Sequence, residues 1–383
     1  MIKFICATVV ASVISATAFA DVTINGFASI NAGATTDSND RLYGYDNNIE
    51  LKNESLFAIQ LQSDLGDKLS VTGQLLGRGA DDFDVDFEWA FLSYELNDQT
   101  RISAGRLRTP FFKYSDFLDV GYAYDWIRPP QSVYGLGFAN IEGVSVYRTG
   151  QLGDLDSSLQ FVLGNYDSET EFSGTEIEAQ IDSIVGATWE LSSGALSGRV
   201  AYLVGETSFA TAPVQLAPGV TLGGLFGTLE QFGLSALVSD LAIQEDDSSF
   251  LGFGLTYDSA DWIIVSEFTN IKVDNSFIAE QDSYYLSVGR RFGSLTPYVS
   301  YEKDDNAAQT DAYAGYQSTL PAQLFAPVKA LVDSQEADND TWNVGFRYDF
   351  HPSAAFKAQF TDQDNQLTGD RRSLISVGID LVF

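Results

Sequence analysis

The last eleven residues, Ser373 to Phe383, alternate without a break. Ile375, Val377, Ile379, Leu381 and Phe383 fall on one face of an extended chain, and Leu374, Ser376, Gly378, Asp380 and Val382 on the other. A period of two is the signature of a strand, because successive side chains point to opposite sides of the pleat. Here one face is apolar and the other mostly small or polar. That pattern suits a strand whose apolar side meets lipid and whose polar side meets water. A strand ending a soluble sandwich reads the same way in isolation, so the rest of the chain has to separate the two.

It repeats the pattern. Trp342, Val344, Phe346, Tyr348 and Phe350 alternate with Asn343, Gly345, Arg347 and Asp349; Leu251, Phe253, Leu255 and Tyr257 with Gly252, Gly254 and Thr256. Val85, Phe87, Trp89 and Phe91 alternate with Asp86, Glu88 and Ala90, Leu69 to Leu75 with Ser70, Thr72 and Gln74, and Phe356 to Phe360 with Lys357 and Gln359. Charges and amides thus occupy faces that a sandwich would fill with hydrocarbon. Only a helix or a closed barrel can cross a bilayer with every backbone group paired, and after residue 20 no uncharged apolar run reaches the roughly 20 residues a spanning helix needs. The expectation is an all-β fold, a transmembrane antiparallel β-barrel of about sixteen strands. Trp89, Trp189, Trp262, Trp342 and Tyr348 are placed at its interfacial girdles.

Connections alternate in length. Short turns are expected near Gly66-Asp67, Asn97-Asp98, Ser192 to Gly194, Ser259-Ala260, Gly293-Ser294 and His351-Pro352. Long loops are expected over Thr36–Glu50, Arg108–Asn140, Asp167–Ile181, Thr207–Ser248, Asp304–Asp340 and Gln363–Arg372. Short turns on one rim and long loops on the other, with both termini on the short-turn side, follow the outer-membrane plan. Two loops carry helical spacing: Leu222, Leu225, Phe226, Leu229 and Phe232, and Leu324, Phe325, Val328, Leu331 and Val332 after Pro321. These are expected to pack over the barrel mouth as a lid or rim rather than dock a partner.

Residues 1–20 read as an export signal: Lys3, an apolar stretch from Phe4 to Ile14, and Ala18-Phe19-Ala20 before Asp21. Residues 21–383 are then one barrel domain. The chain's one cysteine, Cys6, lies inside the signal, so no disulfide stabilises the exported protein. The net charge of −32 excludes a nucleic-acid partner on electrostatic grounds.

The segment Gly105-Arg-Leu-Arg-Thr-Pro-Phe-Phe-Lys-Tyr-Ser-Asp-Phe-Leu-Asp-Val-Gly-Tyr-Ala-Tyr-Asp-Trp-Ile-Arg-Pro-Pro130 resembles the constriction region of trimeric Gram-negative outer-membrane porins, of the general diffusion type found in gamma-proteobacteria. The final Phe383 is similar to the residue that addresses such chains to the barrel assembly machinery. The resemblance implies a third loop, about 107–140, folded into the barrel to narrow the pore. It also implies a homotrimer in outer-membrane lipid and lipopolysaccharide, passing ions and small hydrophilic solutes with no cofactor. Two features depart from the family: the Pro-Glu-Phe-Gly-Gly loop tip of enterobacterial members is absent, and the second loop (Ala80-Asp81-Asp82) is too short to latch a neighbouring subunit.

A narrow pore selects by size and by the field across it, so charges at its rim are its levers. The loop offers Lys113, Asp116, Asp119, Asp125 and Arg128. Inward wall positions are Arg78, Arg199, Arg347 and Lys357, with Asp86, Glu88, Glu302 and Asp349. Arg106 and Arg108 follow Gly105, which permits a bulge and leaves their facing open; by the resemblance, Arg106 joins a basic cluster opposite the loop acids. Asp116 and Asp119 are expected to face Arg78 and Arg106 across the gap. Each of these acids could instead pair locally or face the vestibule. Acidic clusters at 167–182, 245–247 and 338–340 match no ordered calcium loop. They read as a solvated surface that would enrich cations at the mouth and could bridge lipopolysaccharide phosphates through divalent ions.

Catalysis has little support. The single His351 precedes Pro352 in a turn, no Cys/His metal spacing exists, and no phosphate-binding glycine motif occurs. The leading reading is a passive diffusion channel. The alternatives are a substrate-specific porin for sugars or anions, for which Tyr114, Tyr122, Tyr124 and Trp126 could line a path, and an adhesin or structural barrel.

Overall fold

The computed structural model describes residues 21–383; the export signal expected over 1–20 lies outside them. The first nine strands are β1 (Val22–Thr35), β2 (Leu56–Gly66), β3 (Leu69–Arg78), β4 (Val85–Asn97), β5 (Thr100–Arg108), β6 (Asn140–Leu152), β7 (Leu155–Phe172), β8 (Thr175–Ser193) and β9 (Leu196–Phe209). A small ribbon follows, β10 (Gln215–Ala217) with β11 (Val220–Thr221). The remaining strands are β12 (Asp246–Asp258), β13 (Trp262–Val273), β14 (Glu280–Arg290), β15 (Leu295–Ala307), β16 (Ala337–His351), β17 (Ala354–Asn365) and β18 (Arg371–Val382). All strands but the ribbon pair with their chain neighbours into one closed antiparallel barrel, β9 meeting β12 and β18 meeting β1. Closure leaves no free strand edge.

The seam carries the C-terminal pattern. Phe27 to Thr35 pair with Val382 to Leu374, and the Phe383 backbone exchanges bonds of 2.8 and 2.9 Å with Gly26. Ile375, Val377, Ile379 and Phe383 are exposed on the outside; Ser376 and Asp380 are buried inside. Trp189, Trp262, Trp342 and Tyr348 are likewise exposed. Trp89 is not. The β3–β4 register slips between Gln74 and Leu75, so one extra residue enters β4, and Trp89 and Phe91 pair opposite the inward Gln74 and Thr72. The bulge turns both rings off the lipid face.

Short turns at 67–68, 98–99, 153–154, 194–195, 259–261, 291–294 and 352–353 occupy one rim, with both described termini. In the last of these, His351 Nδ1 accepts the Ser353 N–H at 3.1 Å. The other rim carries eight connections, numbered here L1 to L8: 36–55, 79–84, 109–139, 173–174, 210–245, 274–279, 308–336 and 366–370. The long loop expected at Asp167–Ile181 is instead a hairpin with a two-residue turn. Ser173 and Gly174 both take positive φ (50° and 75°), the geometry that matches strand twist in a tight hairpin. Tyr166, Ile177, Ala179 and Ile181 bury one face of it, while the intervening acids stand outward.

The two helical loops form as spaced. In L5, α1 (Leu222–Gln231) starts at Thr221, whose hydroxyl accepts the Gly224 N–H at 3.1 Å. In L7, α2 (Ala322–Asp333) starts after Pro321. Leu222, Leu225 and Leu229 join Leu324, Val328, Leu331 and Val332 in one apolar cap with Phe277 and Ile278 of L6. Tyr316 of L7 donates to Asp240 of L5 at 2.8 Å, a contact that raises the tyrosine's pKa.

Candidate functional site: the inward-folded loop L3

Shortly before L3 begins, Gly105 of β5 adopts φ 134°, a conformation that strains other residues. A Cβ there would lie 2.3 Å from the Ala90 carbonyl oxygen. The loop then runs through the barrel and is tied to the wall on many sides. From β9, Arg199 donates to the Phe111 carbonyl at 2.7 Å and to that of Pro110. On β13, Glu267 accepts the Lys113 N–H at 2.8 Å and the Tyr134 hydroxyl. From β14, Ser287 accepts the Trp126 indole at 3.0 Å; from β15, Glu302 accepts the Ser132 N–H and hydroxyl at 3.2 Å. Arg347 of β16 donates to the carbonyls of Tyr122 and Tyr124 at 2.7 and 3.1 Å.

The deepest tie is at β17 and β18. Lys357 is fully buried and donates to the carbonyls of Gly121 and Trp126, each at 2.6 Å. It also pairs with Asp380 at 2.8 Å, which accepts the Ser29 hydroxyl at 2.5 Å. L3 approaches so closely here that a Cβ on Gly121 would lie 2.2 Å from Asp380 Oδ1. Arg128 forks onto Glu54 of L1, reaches Ser376 at 2.9 Å and lies over the Tyr43 ring at 5.1 Å.

The charges do not stand as expected. Asp119 does not look across a gap at Arg78 and Arg106. It contacts Arg78 at 2.8 Å and Arg108 at 2.5 Å directly, and Glu88 contacts the same two bases at 3.1 and 2.9 Å. L3 docks onto this wall, so the pairs neutralise one another where a free field was expected. The β4 bulge puts Glu88 within reach. Arg106 pairs instead with Glu142 on β6 at 3.0 Å. Asp116 is exposed and holds no ion pair among the described residues. Asp86 shares the inward face with Leu76 by register but stays solvent-exposed near the rim, with no ion pair among the described residues.

Open space lies on the short-turn side of L3. A cavity of about 750 Å³ is lined by Lys113, Tyr114, Tyr122, Tyr124, Asp125, Arg291, Arg347 and Asp349, among others. Arg347 pairs with Asp349 at 2.8 Å and Arg291 with Asp258 at 2.5 Å. Trp126, grouped with the tyrosines from sequence, is buried in an aromatic cluster with Tyr114, Tyr124 and Tyr285. Among the described residues, no group of three or more His, Cys, Asp or Glu is placed to hold a metal ion.

Some of these residues were not singled out from sequence. Glu267 had a signal, since Val265, Glu267 and Thr269 share a buried face at period two. Asp380 lay in plain view on the inward face of the terminal strand. Glu54 had none, because L1 has no periodicity.

A closed antiparallel barrel with short turns on one rim and a loop pinned within its lumen is the arrangement of a pore-forming outer-membrane protein. The chain belongs to the Gram-negative porin family. It matches the family over residues 7–370. Among curated proteins, no sequence matches it. The porin fold is similar to that of OmpT from Vibrio cholerae with loop L8 deleted (13% identity, 94% of this chain and 99% of that one, TM-score 0.59). It is similar too to an anion-selective porin from Comamonas acidovorans (14%, 95% and 100%, 0.59) and to in-vitro folded OmpT in trimer form (12%, 95% and 99%, 0.55). The chain is therefore a channel protein of the bacterial outer membrane.

Proposed function

We propose that this porin is a passive channel for ions and small hydrophilic solutes, with L3 as the constriction that sets its size limit and charge preference. The observation that carries the reading is the pinning of L3 inside the lumen by hydrogen bonds from β9, β13, β14, β15, β16 and β17. A loop held from so many sides keeps a fixed cross-section, which sieving requires and which needs no energy input. Lys113, Asp125, Arg128, Arg199 and Arg347 act at or behind the narrow zone. The Arg78–Glu88–Arg108–Asp119 cluster anchors it. Lipid and lipopolysaccharide surround the barrel, and three chains assemble, as OmpT does in its trimer form. The test is reconstitution into a planar bilayer: ohmic steps in triplets are expected, and the absence of steps would favour an adhesin.

One observation favours a second reading. Tyr114, Tyr122 and Tyr124 line the 750 Å³ cavity beside paired charges, an arrangement that suits stacking of sugar rings. Saturable block of the current by an oligosaccharide would select this reading; unhindered conductance would select passive diffusion.

A further inference from the structure

The lumen is not polar all the way round. On the loop side of L3, the inward faces of β7, β8, β9 and β12 present Tyr166, Ile181, Leu203 and Phe250. The pairing places Tyr166 opposite Ile181 and Phe250 opposite Leu203, so these side chains form one continuous apolar wall. Phe111 and Phe138 of L3 close it from below, and the apolar cap of L5, L6 and L7 stands above. Between them lies a cavity of about 280 Å³. Gly135, Gly137 and Glu171 at its edge are exposed, so it opens to solvent.

We infer that this cavity is a binding site for a small uncharged aromatic molecule. Three observations point the same way. The first is size: a cavity of roughly 150 Å³ lined by Leu, Ile and Phe binds benzene, so this one holds a ring with substituents or a fused pair. The second is ring geometry. Phe111 meets Phe250 at 4.7 Å and Phe138 at 5.2 Å, and Phe138 meets Tyr166 at 5.0 Å, at tilted or edge-on angles. This is the packing into which another ring inserts with its preferred offset or edge contact. The third is charge. No lysine or arginine lines the cavity, and its one charged lining residue is Glu171, which disfavours an anion. Thr207 and Ser248, bonded to each other at 2.8 Å, and Gln281 supply neutral partners for a hydroxyl or amide.

The test uses the full barrel in lipid nanodiscs and radiolabelled benzyl alcohol, with empty nanodiscs to subtract partitioning into lipid. Saturable binding of one molecule per chain is expected, with no saturable binding of benzoate, its anionic counterpart. Ala179→Phe, which fills the cavity, and Leu203→Gln, which makes it polar, should each weaken binding at least tenfold. Channel steps in a bilayer check that each variant has folded. The inference is overturned if benzyl alcohol shows no saturable excess, if benzoate binds equally, or if both folded variants bind as the parent does. Wild-type conductance is read separately, so such a failure leaves the porin reading standing.

Discussion

Lys357 and Asp380 show how one residue's environment decides its weight. A lysine charge without exposure to water persists because Asp380 and two L3 carbonyls surround it. Removing one partner of such a pair strands the other charge, at a cost of about 3–5 kcal/mol. Lys357→Met should therefore lower the urea unfolding midpoint of the barrel sharply, and adding Asp380→Asn should restore much of the loss. Asp119 is a different kind of test. With Glu88 it balances Arg78 and Arg108, so Asp119→Asn leaves one positive charge uncompensated at the constriction. Reversal potentials in a potassium chloride gradient should shift toward chloride preference. Gly121→Ala places a methyl against Asp380 and pushes L3 into the lumen; single-channel conductance should fall.

At the scale of elements, the β7–β8 hairpin is under visible electrostatic tension. Glu169 faces Glu178 and Glu171 faces Glu176 across the pair, and like charges directly opposite destabilise a ladder. The hairpin holds because its other face buries Ile177, Ala179 and Ile181. These acids stand at the outer mouth and should attract cations. Changing Glu169, Glu171, Glu176 and Glu178 to Gln should lower cation preference near 0.1 M salt, where the screening length is about 10 Å, and have little effect at 1 M, where it is about 3 Å. A preference that is unchanged at both concentrations would show that these acids lie too far from the ion path. The expected loop at Asp167–Ile181 is strand because the period of two runs through its acids to the turn at Ser173-Gly174.

For the whole molecule, closure is the governing fact. The terminal strand completes the ring, and Phe383 adds its backbone bonds to Gly26 and sets its ring 5.9 Å from Phe57. Phe383→Ala keeps the backbone bonds, so the protein refolded in vitro should still conduct. If the side chain addresses the assembly machinery, the amount reaching the outer membrane should drop several-fold, as read by outer-membrane fractionation.

The amino-acid order alone determined the barrel, its strand count, the placing of both termini on the short-turn rim and the two helical loops, because each depends on local period and on turn chemistry. It also named most of the charged residues that meet at L3. It did not determine which of them touch. The β4 bulge that turns Trp89 and Phe91 inward is a register slip between neighbouring strands, Asp119 docks L3 onto bases of β3 and β5, and the buried Lys357–Asp380 pair is enclosed by L3 carbonyls more than two hundred residues away. Such contacts follow from the closed tube and its packing, since period-two spacing assigns a side chain to a face but carries no information about which distant partner that face meets.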